Sequence, residues 1–230
     1  MYKIMAMHQP NYLPWIGYFN KISCCDIFVY LDSVQFPRGQ NFSSRTKIKA
    51  ASGPVYLSIP ISKPKGIEGK ASYYDITFAN SNWKNKHLKS IYFNYKKTPF
   101  FSEIYAIIEE KILKAQNIVD LNINLIESII EYLNIRNQRV KLSDIAKKFG
   151  KKNDLIVDIC KKVDANIYLS GTGGGKKYND EVLLNISNID LKYLDFKHPK
   201  YPQIWNEFVS GLSIVDLLFN CGPESRNYIL

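Results

Sequence analysis

The absences in this chain narrow it first. No apolar stretch reaches the ~18 residues that a membrane-spanning helix needs. The amino terminus also lacks the basic segment and long apolar run of a signal peptide. The four cysteines (Cys24, Cys25, Cys160, Cys221) show no C-x-x-C spacing. The adjacent pair Cys24-Cys25, placed on a helix, points in two directions and suits neither a disulfide nor one metal. Reduced, mostly buried thiols in a cytoplasm are expected. No metal-ligand cluster and no Ser/His/Asp order stands out. Internal repeats, low-complexity runs and linkers are missing, so one domain over residues 1–230 is expected.

Acidic residues are outnumbered, with 21 Asp+Glu against 31 Lys+Arg and a formal charge of +10. That balance favours nucleic acid, an anionic membrane surface or phosphorylated substrates. Lysine dominates, however, and with plentiful Asn and Ile this is the bias of AT-rich coding sequence. Many lysines stand in helical stretches as on a solvated face, so both readings stay open. At 46% apolar content the 230 residues suffice for a real core.

The densest site-like segment is residues 1–36. An apolar run, Ile4 to Met7, breaks at His8-Gln9-Pro10-Asn11. A helix is predicted over Trp15 to Cys25, with Ile16, Phe19 and Ile22 inward, and a second apolar run, Ile27 to Leu31, ends in Asp32 and Gln35. Continuously apolar strands suit a parallel sheet covered on both faces, and right-handed β-α-β topology puts their carboxyl ends on one edge. Polar groups at such ends are how an α/β sheet builds a site. His8, with Gln9 and Asn11, is read as acid/base or phosphate contact, against a capping role. Asp32 and Gln35 close the second run, where a carboxylate can hold a sugar hydroxyl, a metal or an amine, against a turn cap; Arg38 and Arg45 can meet phosphate bidentately, against plain surface solvation.

Farther along, residues 37–62 read as a strand pair with a basic loop over 62–71, and Asp75 to Phe78 as a further extended piece. Helical periodicity runs from Trp83 to Tyr95 and through 101–134, with Ile104, Ile107, Ile108, Ile112 and Leu113 on one face. Residues 137–149 read as a short capped segment around Ser143-Asp144. A helix over 153–164 leads to a strand at Asn166 to Leu169. Ser170-Gly171-Thr172-Gly173-Gly174-Gly175-Lys176-Lys177-Tyr178 then follows, where consecutive glycines let backbone N–H groups converge on an anion. It is no Walker A loop, because Lys177 stands where Ser or Thr is required. A helix at 179–186, a strand from Leu191 to Phe196 and a helix around Leu212 to Phe219 complete the chain. Lys86 and His87 open a helix that can reach the same cleft, and Tyr201-Pro202-Gln203 presents an exposed aromatic and an amide.

Four motifs together resemble the WbqC-like protein family from residue 5 to about 222. They are H-Q-P-N-Y-L-P-W-I-G-Y-F-N-K, D-x-F-V-Y-L-D-S-V-Q-F, S-G-T-G-G-G-K-K-Y and L-S-I-V-D-L-L-F-N-C-G. The resemblance implies a bacterial transferase of O-antigen, lipopolysaccharide or other surface-polysaccharide biosynthesis, with glycine transfer onto amino sugars among the activities. Tyr12, Trp15, Tyr18, Ser170, Gly171, Thr172, Gly173, Gly174, Tyr178 and Gln203 are taken as candidate substrate contacts beside the residues above. Where the family commonly has an Asn-Arg pair, this chain has Ser44-Arg45, so the resemblance carries Arg45 and not its neighbour. The start of the chain is also similar to the HIGH-motif nucleotidyltransferases and pantothenate synthetases, whose H-x-G-H binds ATP phosphates. Here that position is Trp15-Ile16-Gly17-Tyr18, with both histidines replaced.

The expected fold is therefore α/β, a mostly parallel sheet in a nucleotidyltransferase- or Rossmann-like core with a helical addition. The expected function is acyl or aminoacyl (glycyl) transfer to the amine of a nucleotide-linked amino sugar, with His8 as base and Asp32 orienting. No metal is expected. Two alternatives remain: an ATP-dependent amide ligase, and a non-enzymatic partner of nucleic acid or a donor aminoacyl-tRNA. The sugar, the donor and the oligomeric state stay open.

Overall fold

The computed structural model describes residues 2–66, 69–145, 147–205 and 207–230. In chain order the elements begin with β1 (Ile4–His8), α1 (Ile16–Ser23), β2 (Ile27–Tyr30), β3 (Arg45–Ala50), β4 (Gly53–Ser58), β5 (Ile61–Ser62) and β6 (Thr77–Phe78). Three long helices follow, α2 (Asn82–Tyr95), α3 (Phe101–Lys114) and α4 (Ile118–Tyr132). The chain continues through β7 (Gln138–Lys141), α5 (Leu142–Ile145), α6 (Asn153–Lys162), β8 (Ile167–Ser170), α7 (Gly174–Tyr178) and α8 (Glu181–Ile186). It closes with β9 (Asp190–Tyr193) and α9 (Ile214–Cys221). None of the described helices is long and apolar enough to cross a membrane. The chain divides into two compact units, each assembled from three segments.

Unit 1 comprises Met1–Gln9, Asn20–Asp32 and Arg136–Lys197. Its five strands form one sheet in the order β7-β2-β1-β8-β9, every pairing parallel. β2 and β8 are buried throughout and β1 through its middle, which is why they read as unbroken apolar runs. The edge strands β7 and β9 alternate in exposure or stay half-exposed, and both carry lysine, a residue that discourages edge-to-edge pairing. The chain starts at the centre with β1, moves outward through β2 and β7, then returns to the other side of β1 with β8 and β9. The strand order thus reverses between β1 and β8, as in doubly wound, Rossmann-like sheets. β7 corrects the sequence reading of 137–149, which contained no strand. Gln138-Arg139-Val140-Lys141 has one apolar residue, enough for an edge strand and too few to announce one.

Unit 2 comprises Pro10–Phe19, Ser33–Ile135 and His198–Leu230. β3 and β4 form an antiparallel hairpin and β5 pairs with β6. α3 packs against α2, α4 and α9 through Ile104, Ile108 and Ile112, while Leu113, expected on the same face, is exposed. Two polar anchors sit inside this unit. Asn122 of α4 donates from Nδ2 to the carbonyls of Pro10 (2.9 Å) and Ser43 (2.8 Å). Asp216 of α9 accepts from the hydroxyls of Tyr95 and Tyr201, each at 2.9 Å. Burial pushes its carboxyl up to about 6 in spite of those bonds. Tyr201 is buried there, which corrects its expected exposure.

Candidate functional site

In an open parallel sheet, ligands enter at the carboxyl ends of the strands where the order reverses. In unit 1 that place is the end of β1 beside the end of β8, and His8 and Ser170 stand on it. His8 Nδ1 lies 2.9 Å from the Gln9 carbonyl. A carbonyl only accepts, so this bond puts the ring proton on Nδ1 and the lone pair on Nε2. Burial first, and then the charge of Lys21, lower the imidazole from 6.5 to about 4, with the Gln9 carbonyl opposing. The residue is half-buried, and with its pKa lowered to about 4 the imidazole is neutral at physiological pH.

Lys21 is the residue that the sequence reading missed. Leu31 N–H donates to the His8 carbonyl and Asp26 N–H to the Ile4 carbonyl, on the β2 side, while Ile167 N–H donates to the Lys3 carbonyl, on the β8 side. Carbonyls alternate between the two sides of a strand, so the Met7 carbonyl faces β8. The β1–β8 pairing ends at Ala6 and Leu169, one residue short of it. Lys21, from the last turn of α1, supplies the missing donor, its Nζ 2.9 Å from the Met7 oxygen. Burial lowers the ammonium from 10.5 to about 8. A signal for it was present, because Tyr18, Lys21, Ile22 and Cys25 recur at helical spacing and all four are buried.

The glycine-rich segment follows β8 as expected but is shorter as a loop. Gly171, Thr172 and Gly173 turn, and Gly174 already begins α7, which ends at exposed Tyr178. A Cβ added at Gly171 or Gly173 would meet open space. Neither glycine is therefore demanded by the packing of the protein itself. Ser170 is buried, and its hydroxyl accepts from Asn179 Nδ2 at 2.9 Å. Asp32, fully buried at the end of β2, accepts from Ser143 N–H at 3.0 Å and from Ser143 Oγ at 2.5 Å. It thereby ties the start of α5 to the same edge of the sheet.

The remaining expected site residues lie in unit 2, apart from Gln9 in unit 1. Gln35 and Arg38 converge on the carbonyl of Gly69, Arg38 at 3.0 Å. Arg45 bonds Gln40, and its guanidinium lies 3.5 Å from the centroid of the Tyr56 ring. Its Nε is buried without a hydrogen-bond partner among the described residues. Asn11, Tyr12 and Tyr18 are interior, and the Tyr12 hydroxyl meets His87 Nδ1 at 3.0 Å. His87 Nε2 meets the Ser58 carbonyl at 3.2 Å, so both ring nitrogens are engaged. His87 and exposed Lys86 line a cleft of about 480 Å³ with Tyr56, Ser58, Asn80 and Trp83. Trp15 is exposed and stacks on His198. Gln203 accepts from Lys49 Nζ (3.0 Å) and Val209 N–H (2.9 Å), which anchors its loop. Among the described residues no three His, Cys, Asp or Glu side chains gather as a metal site would require.

Comparison with known proteins follows the same lines. A protein of Mycobacterium tuberculosis (strain ATCC 25618 / H37Rv), described as uncharacterized protein Rv1507c, is 29% identical over 230 residues, covering 99% of this chain and 97% of its own. The WbqC-like protein family matches residues 9–228, almost the entire chain. By that match, which takes in most of both units, the chain belongs to the WbqC-like protein family.

Proposed function

We propose that this protein is a transferase of bacterial surface-polysaccharide (O-antigen) biosynthesis, moving an acyl or glycyl group to the amine of a nucleotide-linked amino sugar. The observation that supports it best is the pair at the switch point of unit 1: a neutral His8 with its lone pair on Nε2, beside a glycine loop open to close approach. In the reaction the sugar nitrogen attacks the donor carbonyl, a C–N bond forms, and the bond to the donor's leaving group breaks. His8 Nε2 takes the proton that the nitrogen sheds and returns it to the leaving group. A neutral imidazole is ready to accept a proton; a base near pKa 4 is a weak one, and contact with the ligand is what would strengthen it. Asp32 acts as a positioning residue through Ser143. Backbone N–H groups of Gly171 to Gly173 take the nucleotide's phosphates.

The test incubates the protein with a panel of nucleotide-linked amino sugars and labelled acyl or glycyl donors, with mass spectrometry as the readout. His8→Ala is expected to lose at least ~100-fold in transfer, the scale of a general base, while still binding the sugar nucleotide. Unchanged turnover would overturn the role of His8. Formation of AMP or ADP with the amide would replace transfer by an ATP-dependent ligase.

A further inference from the structure

A buried ammonium without a counter-charge is costly unless something else completes it. Lys21 Nζ has three N–H donors and uses one, on the Met7 carbonyl. Among the described residues no carboxylate forms an ion pair with Lys21, in contrast to Glu110, which pairs with Lys111 and Lys114. The nearby thiol of Cys25 is held neutral, pushed up to about 12 by burial. The His8 imidazole is neutral as well. The side chain is 6% exposed, and its charged end reaches the Met7 carbonyl on the β8 side of β1, one residue past the last β1–β8 pair. A lysine needed only to cap one carbonyl would be replaceable by the strand's own continuation, since Gly171 follows β8 directly.

We propose that Lys21 is the anion anchor of the switch-point site, giving its two remaining N–H donors to a phosphate or diphosphate held against the Gly171–Gly173 turn. The anion site stands on the placement of the lysine. Its assignment to the diphosphate of a sugar nucleotide deepens the transferase reading and rests on it. The arrangement also links binding to chemistry: burial is the larger reason that protons stay off His8, and an anion on Lys21 offsets the second, the charge of the lysine, so the base gains strength when the ligand is in place.

The experiment measures binding of inorganic pyrophosphate, uridine diphosphate, a uridine-diphosphate amino sugar and uridine by calorimetry, to the wild type and to Lys21→Met. Met is near-isosteric and carries no charge. The wild type is expected to bind the three phosphorylated probes and not uridine, and Lys21→Met to lose at least ~10-fold toward each, the scale of a charged hydrogen bond. Undiminished affinity in Lys21→Met overturns the anchor, as does a wild type that binds none of the three. Binding of pyrophosphate with no gain for either nucleotide keeps the anchor and overturns the sugar-nucleotide reading. Should Lys21→Met not fold, the ¹³Cε resonance of Lys21 in the wild type, assigned by Lys21→Arg, decides: it shifts on adding pyrophosphate, and a resonance that stays put overturns the proposal.

Discussion

His8 and His87 both have lowered pKa values, and they show how one residue type is given two uses. In His8 the proton sits on Nδ1, bonded to the adjacent carbonyl, and Nε2 carries the lone pair at the edge of the sheet. In His87 the pattern is reversed: Nε2 donates to the Ser58 carbonyl and Nδ1 accepts from the Tyr12 hydroxyl, which locks the ring into the interior of unit 2. Burial lowers His87 from 6.5 to about 4. The unfolded chain therefore binds a proton that the folded one refuses, and stability falls as pH drops from about 6.5 to 4, by about 3 kcal/mol at 1.36 per pKa unit. His8 acts in the same direction, whereas Asp216, raised toward 6, acts in the opposite one. Comparison with His87→Phe isolates the effect. At pH 7 the variant is expected to be less stable by about 1–3 kcal/mol, since it strands the Tyr12 hydroxyl and the Ser58 carbonyl. The gap should close on acidification to pH 4. Urea midpoints of the two proteins that stay parallel over that range would contradict it.

At the scale of elements, the apolar central strands and the long helices were legible, because each has a period or a run that one face of the core enforces. α7 was not. Gly174 and Gly175 are poor helix formers, yet the turn after β8 places them in a helix, so tertiary context overrides propensity there. The carboxyl end of α9 shows the opposite case, a residue whose identity the backbone dictates. Gly222 has φ +51°, a region costly to residues with a Cβ, and a Cβ there would lie 2.3 Å from the Phe100 ring. Gly222→Ala should destabilise the protein by about 2–4 kcal/mol from backbone strain and overpacking. Thermal and chemical melts check this; a loss below ~0.5 kcal/mol would mean that Phe100 moves aside at little cost.

For the whole molecule the decisive feature is that neither unit is continuous in sequence. Each is built from three segments, so the chain leaves and re-enters unit 1 before its sheet is complete. We propose that the two units behave as the single domain expected from the lack of linkers. Urea unfolding should then be one transition, coincident by tryptophan fluorescence and by far-UV circular dichroism. Two resolved transitions would show units that unfold separately. The net charge of +10 belongs to this scale too, and part of it is now accounted for individually. Lys21 and Lys49 are buried on specific carbonyls, and Arg45 lies on Tyr56, so these cations are structural or site groups and not merely a solvated coat.

The sequence by itself determined the class of fold, the strands β1, β2 and β8, the placement of His8 and Ser170 at strand ends, and the family. Those are consequences of local pattern: buried strands must be apolar along their length, and a polar residue that ends such a run must sit at its end. Only the tertiary structure decided which strand lies beside β1, and with it where the switch point falls. It also decided that Tyr12 and His87 serve each other, that Asp32 serves Ser143, and that a lysine on a short helix reaches the Met7 carbonyl on the β8 side of β1. These depend on contacts between residues far apart in the chain. A lysine or histidine reads the same in sequence whether its neighbour is water, a carbonyl or an empty place for an anion, and burial is what separates the three.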